Sequence, residues 1–412
     1  MLLILALLIS LSVPVLAETT KITMASWQWE EAGFADFYRA VAKEFHEKYP
    51  QYEIEEVSLP FAQYWDKMTA DCAADCPPDI MMHNATKLGS FIELGEIEPL
   101  DNLWDEETEQ RLKNDFLPAQ SEAPIVVDGK TYALYMMLTS HQLMYNEKLL
   151  EEAGIEVPTT TEEFIEAAIA LTNAPEQYGY GFMTVAEEAF TDDIFMWAIG
   201  HDGDIFKDGK FQFNTPGVIE ALKGYKAMFD AGVTPIGVPK ATYRSMFAEG
   251  QVAFLIDGPW QYTFVESLNE EVASHVRTAS VPFPTGKSLM SENIMTIPAD
   301  AEHKEGAWLY LQMCSEAAAQ ADFANYTNCT PGMASAISQE WLEENTWFQG
   351  YVDGADGATI CAPLAWPGIS AQIRKIVLDR CQEILYNNAD IEETVAKIQA
   401  EVDELAAQAN LT

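Results

Sequence analysis

The chain has 412 residues, of which 48% are hydrophobic and 21% charged. That balance excludes a disordered polypeptide and gives enough apolar surface for two domains or one large two-lobed unit. Acidic side chains outnumber basic ones by 65 to 23, for a formal net charge of −42; nucleic acid and anionic membranes select for Lys and Arg, so neither is an expected partner.

Residues 1–17, MLLILALLISLSVPVLA, are almost wholly apolar and end in Val15-x-Ala17, the form of a secretory signal peptide cleaved after Ala17. No Cys stands at that cleavage point, so a soluble protein without a lipid anchor, periplasmic or extracellular, is expected. After it, Lys21 to Trp27 reads as a short strand. Phe34, Phe37, Tyr38, Val41 and Phe45 then fall on one face of a helix that Pro50 ends. Glu53–Val57 is a second strand, Phe61–Ala74 a second helix and Asp79–Met82 a third strand, so the opening predicts βαβ units and a largely parallel sheet. Strands follow at Thr131–Met137 and Gln142–Tyr145, with Asp128-Gly129 as a turn between flanking segments. Thr160-x-x-Glu163 is a capping box for a helix over Glu162–Thr172. Lys207–Lys210 is a hairpin turn, Gln251–Ile256 a buried strand, and Ile369–Leu385 and Ile391–Ala409 are helices, the last behind Asp390.

Motifs for catalysis or metal binding are lacking. Gly286-Lys287-Ser288 has Val281 where a phosphate-binding loop needs its first Gly, and His46-Glu47 meets Pro50 where a zincin places its second His. Asp202-Gly203-Asp204 has Phe206 at the third ligand position of a calcium loop and reads as part of a hairpin. Cys72, Cys76, Cys314, Cys329, Cys361 and Cys381 are expected as disulfides or buried thiols, because Cys72-x3-Cys76 has no second ligand pair at zinc spacing.

Several segments in order resemble the family 1 extracellular solute-binding proteins, the sugar-type receptors of ABC importers. They are Tyr64–Met68, Cys76–Ile80 and Leu94–Asp101; Asp128–Leu134, Met144–Gly154 and Pro158–Thr160; Gly203–Phe206, Phe213–Pro216, Phe247–Ala253 and Gly258–Trp260; and Val281–Gly286 with Ile297-Pro298 and Ala307-Trp308. The resemblance implies an α/β type II periplasmic-binding-protein-like fold, two lobes joined by about three crossing segments with a ligand cleft between them. The crossings are expected near Leu138–His141, Val281–Ser291 and Asn328–Pro331, with residues 18–138 plus 285–328 as lobe 1 and 139–284 plus 329–412 as lobe 2. Ser291-Glu292-Asn293 departs from the family, which often has small Gly residues there.

Sugars present apolar C–H faces ringed by hydroxyls, so their receptors combine aromatic platforms with carboxylate and amide groups. The candidates are Trp27, Gln28, Trp29 and Glu30 after the first strand, Tyr64 and Trp65 on the second helix, and Asn84 after the third strand. Thr139, Ser140 and His141 match the stretch where family members reach the ligand as the chain changes lobes. Trp260 stands where the family commonly stacks an aromatic on the sugar, with Asp257, Glu292 and Trp366 as further candidates. These segments are nearly free of cations, Arg244 being the nearest and reading as a surface residue, which favours a neutral saccharide. The alternatives are a cationic solute such as a polyamine or amino sugar and, from another class, a secreted carbohydrate-cleaving enzyme. The leading expectation is a non-catalytic monomer without cofactor or metal, whose partners are a saccharide and the membrane permease of an ABC importer.

Overall fold

The computed structural model describes residues 19–116, 125–207, 209–354, 358–359 and 366–411; the signal-peptide expectation and Cys361 lie outside them. Strand β1 (Thr20–Ser26) lies between β2 (Tyr52–Ser58) and β3 (Ile80–His83), parallel to both, with Ile22 opposite Ile54 and Met24 opposite Ile80. Helices Phe34–Lys48 and Phe61–Ala73 make the crossovers that parallel pairing requires. The first buries Phe34, Phe37, Tyr38, Val41 and Phe45, the residues whose spacing predicted it.

Two short strands, β4 (Val126–Val127) and β5 (Lys130–Thr131), form a hairpin on Asp128-Gly129. Then β6 (Leu134–Ser140) leads into β7 (Gln142–Asn146), and β8 (Tyr178–Gly181) follows. The expected hairpin around Lys207–Lys210 is β9 (Phe206–Lys207) against β10 (Lys210–Phe211). The remaining strands are β11 (Val252–Asp257), β12 (Val276–Ala279), β13 (Ser288–Thr296) and β14 (Ala358–Thr359). One sheet has the order β14-β13-β3-β1-β2, with β6 also on β13; the other is β12-β7-β11-β8.

Both sheets are mixed, which corrects the expectation of largely parallel pairing. β13 runs antiparallel to β3 and to β6, and in the second sheet only β11 and β8 are parallel. The reason is the crossing of the chain: β6 leaves the first sheet as β13 returns to it, and the two pair as an antiparallel ribbon from Met290–Ser140 to Met295–Leu134.

Two large apolar cores result, with a small third cluster of Trp347, Phe348 and Tyr351. The first gathers residues between Ile22 and Met137 and between Ile294 and Met333; the second gathers Leu143 to Leu289 and Trp366 to Ala406. The chain passes between them after Met137, before Ile294, and a third time between Met333 and Trp366. This third passage lies beyond Asn328–Pro331, because Cys329 and Met333 pack in the first core and Pro331 bridges to Met137. Cys72, Cys314, Cys329 and Cys381 are buried thiols and Cys76 is an exposed one, all unbonded. Among the described residues no helix is long and apolar enough to cross a membrane.

Candidate functional site

A cleft of about 810 Å³ opens between the two cores, at the carboxyl ends of β1 and β3 and beside the crossing ribbon. Its first wall begins where β1 ends. Ser26 caps a short 3-10 turn, Trp27–Glu30, by accepting the Gln28 backbone N–H at 2.9 Å. Trp27 meets Phe61 and Trp65 of the second helix, with ring centroids 5.2 and 5.7 Å away, and the three rings form an aromatic corner on the cleft. Gln28, Glu30 and Asn84 add polar groups to this wall.

The opposite wall is organised by one ion pair. Arg244, on the helix Lys240–Ala248, donates through Nε and Nη2 to the two carboxylate oxygens of Asp257, both at 2.6 Å. Burial alone would raise the Asp257 carboxyl, but the charges of Arg244 and Lys240 and the guanidinium hydrogen bonds outweigh it and hold it well below the usual carboxylate range. Trp260 lies between Arg244, 6.0 Å from its ring centroid, and the His141 ring, edge-on at 5.4 Å. Its indole folds back over Gly258, where a Cβ would come within 2.2 Å of the ring, so only glycine admits this pose. His141 Nε2 is 2.8 Å from Ser291 Oγ, and burial, aided by Lys240, lowers its pKa to about 4, leaving a neutral imidazole.

Of the residues expected from sequence, Trp27, Gln28, Glu30, Trp65, Asn84, His141, Trp260 and Glu292 line this cleft. The other six have structural surroundings. Trp29 donates Nε1–H to the Met24 carbonyl (2.9 Å) inside the first core, and the Tyr64 hydroxyl lies 3.0 and 2.8 Å from the Ala25 and Met82 carbonyls, tying two strand ends. Thr139 sits 3.4 Å from Thr330 Oγ1 and Ser140 accepts from Gln142 Nε2 (3.0 Å), so both serve the crossing. Asp257 is committed to Arg244, and Trp366 packs edge-on against Phe206 in the second core.

The expectation of a cleft nearly free of cations is corrected: Lys87, Lys240, Arg244 and Arg374 all line it. Acids accompany them. Arg374 donates to Asp192 at 2.7 Å and to Thr191 at 2.8 Å, and Lys240 stands 4.0 Å from Asp193. Glu31, absent from the sequence candidates, reaches water inside the cleft but has protein on both sides. The loss of bulk solvent pushes its carboxyl up to about 7, against the pull of Arg244 and Gln28. Lys240 and Arg244 stand four apart, and Phe61 four before Trp65; shared helix faces were the available signals for these residues. Arg374, a turn into the helix Ser370–Asn387, had none.

Two cores with crossing strands and a cleft lined from both sides define a two-lobed receptor for a small solute. Residues 40–349 match the bacterial extracellular solute-binding protein family, and the chain belongs to it. A chain of Brucella abortus that bears the name of a binding protein is 27% identical over 340 residues, 80% of this chain and 78% of that one. The maltotriose-binding protein of Pyrococcus abyssi is 22% identical over 394 residues, 91% of this chain and 81% of the other. Among solved structures, an ABC transporter solute-binding protein of Thermotoga lettingae bound with alpha-D-tagatose superposes with a TM-score of 0.83 at 23% identity, covering 94% of this chain and 99% of that one.

Proposed function

We propose that the protein is a non-catalytic, exported receptor that captures a neutral saccharide in the cleft and presents it to the membrane permease of an ABC importer. The observation that carries this reading is the set of aromatic rings lining the cleft: Trp27, Phe61 and Trp65 beside the end of β1, and Trp260 after β11, whose chain segment belongs to the second lobe while its ring packs against the first core. Flat rings lining a cleft suit the C–H faces of a sugar, and the amides and carboxylates beside them suit its hydroxyls. The maltotriose named for one relative and the tagatose in one structural neighbour agree with that chemistry.

Charge argues in the same direction. Arg244 and Arg374 are held by Asp257 and Asp192, so they are neutralised without a ligand and do not demand an anionic solute. Asp257, equally neutralised, no longer supports a cationic one. Closure turns on the ribbon of β6 and β13 and on the third passage after Met333, with the two cores as the moving lobes. The closed form is what the permease reads, and the receptor acts as a monomer released by cleavage after Ala17.

A panel of mono- and oligosaccharides, maltotriose and tagatose among them, tests the reading by thermal shift and Trp fluorescence. Solute at 100 times its Kd stabilises the folded protein by about 2.7 kcal/mol, an unmistakable rise in melting temperature. If well-folded protein responds to no saccharide, the reading is wrong; sugar release from a polysaccharide would make it an enzyme.

A further inference from the structure

We infer that Gln28 and Trp65 form a donor-only face in the cleft that demands an acceptor oxygen from the solute, and that Tyr38 is the positioning residue that sets the polarity of this face. The inference rests on the saccharide reading above and adds to it which hydrogen-bonding sense the first lobe recognises.

Gln28 is 1% exposed, yet it lines the cleft. Its amide has one committed end: the buried Tyr38 hydroxyl donates to Oε1 at 3.0 Å. While the phenol donates, the amide keeps Oε1 on Tyr38 and Nε2 away from it; the reverse orientation would make the phenol oxygen accept and leave its hydrogen to find another acceptor. Nε2, the end with two donors, is buried and makes no hydrogen bond of ordinary length, the Glu31 carboxylate drawing on it from farther off. Trp65, on the same wall, also lines the cleft and also leaves its indole Nε1 buried and unpartnered. Trp27, the neighbour of Gln28 in the chain, packs against Trp65, so the two donors flank one aromatic corner.

Buried donors without acceptors are rare in folded proteins, and each stands at a cost that a correctly placed oxygen removes. An indole N–H and an amide NH2 can only give hydrogen bonds on this face. A sugar hydroxyl or ring oxygen can accept them; an ammonium group, which has donors alone, cannot. The face therefore selects solutes that carry oxygen at this corner and rejects those with an amine in its place, which makes Gln28 and Trp65 specificity-determining residues.

The test uses the full mature protein and the panel saccharide that gives the largest thermal shift, together with its monodeoxy and monoamino derivatives, titrated by calorimetry. For wild type, one deoxy position should cost about 10-fold in Kd, and the amino derivative at that position should bind more weakly still. Gln28→Met should lose about 10-fold for the parent sugar and nothing further for that deoxy derivative. Gln28→Glu, which replaces donors by acceptors, should prefer the amino derivative. Tyr38→Phe frees the amide to turn and should shrink the wild-type discrimination between hydroxyl and amine, an effect that lost packing alone would not produce. The Trp65 indole N–H resonance, assigned by its absence in Trp65→Phe, should move downfield on binding. Equal losses for all derivatives in Gln28→Met, as expected if Gln28 only steadies Glu31, would overturn the donor face while leaving the saccharide reading intact. Failure of every saccharide to bind wild type would overturn both.

Discussion

Asp257 illustrates how a single side chain near the cleft can matter without touching a solute. It is 1% exposed, holds both Arg244 nitrogens, and accepts the Gly258 N–H at 2.9 Å. Asp257→Asn leaves a guanidinium charge with half its partner. Removing one member of a fully buried pair costs about 3–5 kcal/mol, and Arg244 keeps some contact with water, so a loss near the lower end is expected in urea unfolding. Solute affinity should fall as well, through Trp260, whose ring Arg244 supports.

The titratable groups carry a pH prediction with two opposite signs. His83 and His141 are buried and depressed from an ordinary value of 6.5 to about 3 and about 4. The unfolded chain therefore binds more protons below pH 6.5, and stability should fall as pH drops from 6.5 towards 4 and below. Glu31 is raised from 4.5 to about 7, so the native state binds more protons in that interval and its share of stability falls as pH rises through it. Exposure of Glu31 to water makes its share the smaller one. Urea midpoints measured from pH 7.5 to 4 should decline towards acid in wild type, decline less in His83→Asn, and decline more steeply in Glu31→Gln. A decline as steep in His83→Asn as in wild type would show that the His83 imidazole is not held neutral.

At the scale of elements, the segment from the 3-10 turn to the first helix fixes one cleft wall, and its geometry depends on Gly33. That residue has φ of 79°, and a Cβ there would stand 2.2 Å from the Tyr326 carbonyl oxygen. Gly33→Ala combines left-handed strain with a backbone clash, for a loss of about 2 kcal/mol or more. Gly95→Ala, at φ of 77° with open space around the Cβ, has the strain alone and should lose about 1 kcal/mol. Only the first substitution should also weaken solute binding, since it shifts the turn bearing Trp27 and Gln28. Equal affinities in both variants would separate this loop from the site.

The same segment shows what could be read beforehand. Apolar spacing from Phe34 to Phe45 specified the helix and its buried face, and Trp27 and Gln28 were legible as groups left at a strand end. Trp29 was not, because a 3-10 turn rotates about 120° per residue, so residues two apart face different ways. Tyr64 and Trp65, about 100° apart on a helix, divide for a similar reason into core and cleft. Strand direction was also hidden: the apolar run that marks β6 carries no sign of the antiparallel return of β13, which was not read as a strand. The cations of the second wall were obscured because the acids that hold them, Asp257 at 13 residues from Arg244 and Asp192 at 182 from Arg374, stand at no motif spacing.

For the whole molecule the governing quantity is the net charge of −42. Cleft cations such as Arg244 and Arg374 are paired on the spot, so they do little to offset it at a distance. Acids crowd outer helices instead, with Glu106, Glu107 and Glu109 opening one helix and Glu392 and Glu393 another. Those positions favour helix N-termini locally, but the summed repulsion opposes the compact state. Salt shortens the reach of that repulsion from about 30 Å at 0.01 M to about 3 Å at 1 M. The melting temperature should therefore climb with NaCl over this range, equally with KCl, and beyond the effect of an osmolyte such as sucrose at matched osmolality. Affinity for a neutral saccharide should stay nearly constant across the same titration, whereas a cationic solute drawn in by the acidic field would bind progressively more weakly. A steep salt dependence of Kd would thus replace the neutral solute with a charged one even if the fold responded as expected.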